Sequence, residues 1–238
     1  MKYVFIIVGV GGTGSLVARD LPKLLMHTGS EMVLIDGDIV EKKNMVRQAY
    51  QQHDIGENKA NALAKKINTF YGNICESIDH YITKDEILEL LKKYENYTPV
   101  LIGCVDNNKT RILLEKTFKQ LDECVYIDSA NSEYEGDVYV VVKDGQKIVG
   151  KLRGDAYKFD LDKHPTEKSC EAQAAAGNIQ YMVTNLKMAN VVIEHISALL
   201  HGEIKVGVSV VKRFETLHII PQNWLGARYI WLVRKTIM

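Results

Sequence analysis

From Val4 to Val8 every position is apolar and the run stops at glycine, a pattern that suits a parallel strand buried on both faces. After it, Leu16, Val17, Leu21, Leu24 and Leu25 recur at helical spacing from Gly14 until Gly29 interrupts them, and Met32 to Ile35 predicts the next buried strand. The segment from Asp36 to Asp54 is polar and has no period. It is long for a strand-to-helix connection, and such connections usually carry function. Gly56 to Asn68 predicts a helix with Ala60, Leu63, Ala64 and Ile67 on one face. Ile74 to Ile82 then predicts a strand, Lys84 to Tyr94 an amphipathic helix, Val100 to Val105 a buried strand, Lys109 to Leu121 a helix and Val125 to Asp128 a strand. This alternation predicts an α/β fold: a mostly parallel sheet with helices on both faces.

Beyond Asn131 the texture changes. Val138 to Val142, a turn at Asp144-Gly145, and Ile148-Val149 predict an antiparallel hairpin. Arg153 to Ser169 is a polar crossing segment in which Tyr157, Phe159 and Leu161 alternate as a short edge strand would. Glu171 to Leu200 predicts a long Ala-rich helix interrupted near Gly177, and Val206 to Val211 with Thr216 to Ile220 predicts a closing hairpin. The expected organisation is one domain over 1–238: a nucleotide-binding βα part over 1–131, and an antiparallel extension, crossover loop and long helix over 132–238.

Composition narrows the class. Hydrophobic residues make up 46% of the 238 and charged residues 25%, ordinary values for a globular fold. Lys plus Arg equals Asp plus Glu at 30 each, so no global field draws the chain to nucleic acid or to an acidic membrane, and any anion site is local. No stretch reaches the ~18 apolar residues of a membrane helix. The glycines also break the N-terminal run before a signal-peptide core completes, so cytoplasm is the expected location. Cys75, Cys104, Cys124 and Cys170 lie far apart with no CxxC pair, which argues against a zinc knuckle, and the histidines form no metal or triad spacing.

The candidate chemistry begins at Gly9-Val10-Gly11-Gly12-Thr13-Gly14, which follows a strand and opens a helix. In that Rossmann-like context glycines let the backbone approach a phosphate, and the helix N-terminus offers it free N–H groups and a partial positive charge. The bland alternative is a tight turn without a ligand. Asp36 closes the second strand, where an acidic residue can accept hydrogen bonds from ribose hydroxyls. These two features leave NAD, FAD, SAM and ATP open.

The block Asp36-Gly37-Asp38-Ile39-Val40-Glu41-Lys42-Lys43-Asn44-Met45-Val46-Arg47-Gln48, followed by Gly56-Glu57-Asn58-Lys59-Ala60, resembles the ThiF/MoeB/HesA family, relatives of the ubiquitin-activating enzymes. The family pattern D-x-D-x-V-E-x-x-N-L-x-R-Q, then G-x-x-K-A, is met with Met45 in place of Leu. Asp106-Asn107-Asn108-Lys109-Thr110-Arg111 matches D-N-x-x-x-R directly after a strand. Three ordered motifs carry the resemblance over roughly the first 130 residues. It implies an ATP-dependent adenylyltransferase that activates a carboxylate, with Mg²⁺. The implied substrate is the C-terminus of a ubiquitin-like β-grasp carrier or a peptide, and the implied assembly is a homodimer. The resemblance assigns nucleotide contacts to Gly9, Gly11, Gly12, Gly14, Asp36, Asp38, Asn44, Arg47, Gln48, Lys59, Asp106 and Asn107.

The chemistry agrees with that set. When a carboxylate attacks the α-phosphorus of ATP, charge builds on the leaving pyrophosphate. Arg47 offers a planar fork and Lys59 a compact cation to meet it, while Asp106 is suited to hold Mg²⁺. On the bland reading, Lys59 is a solvated helix-face charge, Asp106 an N-cap, and Arg111 a partner of Asp106 or Asp128. Ser169-Cys170-Glu171-Ala172 faintly resembles the family's S-C-x-x-x-G, which makes Cys170 the candidate nucleophile for a thioester.

The chain departs from the family in beginning at the strand, so the N-terminal helix whose arginine crosses a dimer interface in several members is not in this sequence. Either Arg47 and Lys59 suffice, or another basic residue such as Arg153 reaches in. In lacking that helix and the zinc site it looks like short ThiF-type proteins such as the ThiF component of PRTRC systems. Two other classes remain: a nucleotide-binding regulatory or scaffold module, and an NAD- or FAD-dependent oxidoreductase supported by the glycines and Asp36 alone.

Overall fold

The computed structural model describes residues 1–159, 182–212 and 215–219. Strand β1 (Tyr3–Val8) is buried at every position and pairs in parallel with β2 (Glu31–Ile35) on one side and β4 (Thr98–Gly103) on the other. Beyond them lie β3 (Cys75–Ile78), parallel to β2, and β5 (Glu123–Asn131), parallel to β4. The sheet continues antiparallel through β6 (Gly136–Asp144), β8 (Gly207–Lys212) and β9 (Glu215–Ile219), in the order β3-β2-β1-β4-β5-β6-β8-β9, with β7 (Lys147–Val149) paired to β6. The described residues thus form a Rossmann-like, mostly parallel sheet continued by antiparallel strands.

Alternation along each strand divides the core in two. Phe5, Ile7, Met32, Leu34, Val100 and Ile102 face α1 (Gly12–Leu25), α2 (Lys59–Tyr71) and the long α6 (Met182–Leu200). Val4, Ile6, Val33, Ile35 and Leu101 face α3 (Lys84–Lys93) and α4 (Asn108–Gln120) through Ile87, Leu114 and Phe118. With helices on both faces, no position of β1 meets water, which is why its sequence lacks the polar alternation of a one-sided strand. Register positions the chemistry. Val8 pairs with both Ile35 and Gly103, so the carboxyl ends of β1, β2 and β4 finish level, and Gly9, Asp36 and Cys104 leave the sheet along one rim. Strand order reverses at β1, the crevice where open α/β sheets bind ligands.

Several expectations move. The strand read over Ile74 to Ile82 ends at Ile78, and residues 79–83 turn off the sheet to the N-cap of α3. There Thr83 and Glu86 close a capping box, Oγ1 accepting from Glu86 N at 3.3 Å and Glu86 Oε2 from Thr83 N at 2.8 Å. Tyr157 and Phe159 are not in a strand. The segment starts instead with one helical turn, α5 (Arg153–Ala156), closed by Asp155 Oδ2 accepting from Leu152 N at 3.1 Å. The first helix begins at Gly12 rather than Gly14, and α2 runs Lys59–Tyr71 rather than from Gly56, because Asn58 is its cap and accepts from Asn61 N. Leu161, the expected interruption near Gly177 and the first part of the long helix lie outside the described residues.

Candidate nucleotide cleft

The glycines have distinct jobs. Gly9 has φ of +84°, and a Cβ there would stand 2.8 Å from the Cys104 carbonyl oxygen. A Cβ on Gly14 would lie 1.9 Å from the Gly9 oxygen, so Gly14 lets α1 fold back on the turn and does not line the cleft. Around Gly11 there is space, the nearest atom to such a Cβ being Gln48 Nε2 at 3.9 Å. α1 has no side-chain N-cap and no acidic residue in its first turn, which leaves its positive end unneutralised.

Asp36 ties this turn to β2, Oδ2 accepting from Val10 N at 2.8 Å and Oδ1 from Asp38 N at 2.9 Å. Burial, aided by Asp38 and opposed by Lys59, pushes its carboxyl above the usual range. Lys59 is not a solvated helix charge: it is 6% exposed, and its Nζ donates to Asp38 Oδ2 at 2.7 Å. Asp38 also accepts from the Tyr81 hydroxyl. Burial works against its ionisation, but the charge and hydrogen bond of Lys59 and the bond from Tyr81 outweigh it and hold the carboxyl below the ordinary value.

Asn44 is buried, and its Oδ1 accepts from Glu41 N at 2.7 Å, closing the short turn Lys42–Val46 that delivers Arg47 and Gln48. Gln48 Oε1 has no hydrogen-bond partner among the described residues. The Arg47 guanidinium lies beside Gly12; burial lowers its pKa and the nearby Asp106 counters that. Asp106 is exposed at the end of β4 and is not the cap of α4. That role falls to Asn107, whose side chain accepts from Thr110 N at 2.9 Å. Arg111 pairs with Asp128 at 3.5 Å and donates to the Val105 carbonyl.

Arg47, Lys59 and Asp106, from three separate segments, line one cleft of about 1260 Å³ together with Gly9, Gly11, Gly12, Asp36, Asp38, Asn44, Gln48 and Asn107. That volume is ample for a nucleotide and part of a second substrate, since drug-sized pockets run ~300–1,000 Å³. Arg153 does not reach in. It is buried between Asp128 and Asp137, bonded to both carboxylates and stacked over the Tyr139 ring at 4.5 Å. Cys170 lies outside the described residues. Cys104, on the cleft wall, has its thiol pushed up to about 12 by burial and Asp128, with Arg111 opposing, unlike an activated nucleophile.

Sequence reasoning missed Tyr81, which sits over Gly37 at 2.8 Å from where a Cβ would stand, and the cluster Thr13, Asn131 and Asn185. Neither carries a sequence signal. Tyr81 lies in a stretch whose apolar alternation reads as strand, and Asn185 in one that reads as packing helix.

The family model described as "ThiF family" matches residues 2–225. Among curated proteins, the chain is 32% identical to ubiquitin-like modifier-activating enzyme 5 of Aedes aegypti over 124 residues, covering 48% of this chain and 30% of that one. It is 25% identical to the SAMP-activating enzyme E1 of Haloferax volcanii over 142 residues, covering 59% and 50%. The chain therefore spans from under a third to half the length of these relatives. Among solved structures, E. coli MccB with MccA-N7isoASN superposes with a TM-score of 0.66 at 16% identity, and PaaA with 0.65 at 21%, each over 92% of this chain and 64% of the other. These two likenesses speak for the fold. With the family model matching almost end to end on a cleft built from the glycine turn, Arg47, Lys59 and Asp106, the chain belongs to the ThiF family, whose members are adenylyltransferases.

Proposed function

We propose that this protein adenylates a carboxylate at the expense of ATP, and that the carboxylate is the C-terminus of a peptide or of a small ubiquitin-like carrier. The observation that carries the reading is the convergence of Arg47, Lys59 and Asp106 on the cleft that holds the glycine turn. The ribose lies toward Asp36, whose oxygens already bind two backbone amides and keep lone pairs for hydroxyls. The phosphates lie over Gly11 and Gly12 at the N-terminus of α1. A carboxylate oxygen attacks the α-phosphorus, the bond from that phosphorus to the bridging oxygen breaks, and the electron pair leaves with pyrophosphate. No net proton moves.

Arg47 meets the charge that develops beside Gly12. Lys59 is held in place by Asp38, and its two remaining N–H bonds serve a phosphate oxygen. Asp106 fits Mg²⁺ of the kind carried by a nucleotide: among the described residues no group of three or more His, Cys, Asp or Glu could cage a metal, and Mg²⁺ is satisfied by one or two carboxylates plus phosphates and water. When bound, Mg²⁺ would neutralise phosphate charge there. That E. coli MccB was solved with AMPCPP and MccA supports ATP and a peptide as the two substrates. Homodimerisation and a thioester on Cys170 belong to the same reading.

The test is exchange of labelled pyrophosphate into ATP by the purified chain with Mg²⁺ and candidate carriers or peptides. Lys59→Ala and Asp106→Ala are each expected to reduce exchange by about 10²-fold or more. Exchange untouched by both substitutions would remove the assigned roles. ATP binding without exchange for any carboxylate would favour a nucleotide-binding scaffold instead.

A further inference from the structure

Asn185 lies on α6 and is fully buried, at the end of a hydrogen-bond relay that starts in the glycine turn. Asn131 Nδ2 donates to the Ser132 carbonyl at 3.0 Å; a carbonyl only accepts, so this bond fixes which end of the Asn131 amide is nitrogen. The same Nδ2 donates to Asn185 Oδ1 at 3.1 Å, and Asn131 Oδ1 accepts from Thr13 Oγ1 at 3.2 Å. The relay commits Asn185 to turn its NH2 toward Gly12. A Cβ built on Gly12 would stand 2.4 Å from that nitrogen and 2.9 Å from an outer nitrogen of Arg47. Among the described residues Asn185 Nδ2 has no hydrogen-bond partner. A buried donor without an acceptor is costly, and this one is fixed beside an uncapped helix N-terminus and a guanidinium. Three kinds of donor thus surround Gly12: the Asn185 amide, the free N–H groups at the start of α1 and the Arg47 guanidinium.

We propose that Asn185 is a phosphate-binding residue completing an oxyanion site at Gly12 for a phosphate group of the bound nucleotide, with Asn131 and Thr13 as positioning residues that hold its amide. The proposal rests on the nucleotide reading of the cleft. Because Gly12 and Arg47 cover the Asn185 nitrogen, an entering phosphate draws the guanidinium from its place, and the two residues act as one unit. Sequence patterning hides such a role, since a polar residue inside a packing helix declares no direction until α6 is laid against α1.

Calorimetry on the full chain tests this with adenosine, AMP, ATP and inorganic phosphate. In Asn185→Asp, which keeps the shape but replaces the donor, and in Asn185→Leu, AMP and ATP should weaken by about tenfold or more while adenosine stays within about twofold. Asn131→Leu should lose part of the same discrimination. Combining Arg47→Ala with Asn185→Leu should lose less than the product of the single effects. Equal weakening of adenosine and AMP would reduce Asn185 to a packing role, and unchanged AMP affinity in both Asn185 variants would overturn the proposal. If the wild-type chain binds neither adenosine nor nucleotide, the nucleotide reading falls separately and inorganic phosphate decides: held by wild type and lost in Asn185→Asp supports the oxyanion site, while no binding by wild type overturns it.

Discussion

Gly11 and Gly14 share one turn but differ in what a methyl group would meet. At Gly14 it would press on the Gly9 carbonyl at 1.9 Å, whereas at Gly11 nothing lies nearer than 3.9 Å. Gly14→Ala is therefore expected to lower stability by about 2 kcal/mol or more, measured by urea unfolding. Gly11→Ala should leave stability within about 0.5 kcal/mol, yet weaken ATP by occupying the path of the phosphate. The cysteines yield a second residue-scale expectation. Burial pushes Cys75, Cys104 and Cys124 from the ordinary 9.0 up to about 12, so at pH 8 in native protein all three should resist iodoacetamide, as mass spectrometry of alkylated peptides would show. Because the folded state keeps these protons longer than the unfolded chain, stability should fall as pH climbs from 9 toward 12. At this scale the motif residues were legible in the sequence, but their partners were not. Nothing in the spacing of Asp38, Lys59 and Tyr81 announces that they bond to one another, because they meet only through the packing of three separate segments.

Among elements, α5 is one that sequence periodicity does not announce. Polar residues without a period surround it, yet Arg153 inserts between Asp128 of β5 and Asp137 of β6, and that clamp starts a helical turn. Burial alone would lower the Arg153 pKa, but the two carboxylates outweigh it and raise it well above its ordinary value, so the group stays charged. Arg153→Ala would leave the fully buried Asp128 with only the longer contact to Arg111 at 3.5 Å, and is expected to cost about 3 kcal/mol in chemical denaturation. Arg153→Lys should recover only part, since an ammonium lacks the planar fork that reaches both partners. The central parallel strands β1, β2 and β4, by contrast, were readable to within a residue or two, whereas β3 ends at Ile78 rather than Ile82 and β5 runs on to Asn131. An element buried on both faces has no polar position to confuse the pattern, while a segment shaped by one buried ion cluster has no pattern to read.

At the scale of the molecule, the cleft exists because β1 sits where strand order reverses and because its end is level with those of β2 and β4. If that crevice is an ATP site, Mg-ATP at about 100 times its Kd should stabilise the chain by about 2.7 kcal/mol, read as a thermal shift, and EDTA should reduce the shift. NAD at equal concentration should do far less, because Arg47, Lys59 and Asp106 suit a triphosphate with its cation. A larger shift with NAD would return the oxidoreductase reading. By itself the sequence determined the α/β class, the order of the main elements and the motifs that line the cleft, since hydrophobic period and glycine placement are local properties of the chain. Only the tertiary structure decided that Lys59 is locked to Asp38, that Arg153 serves the core, and that Asn185 ends beside Gly12. Each of those depends on groups far apart in the chain becoming neighbours after burial, when a polar atom must find a partner or be left without one.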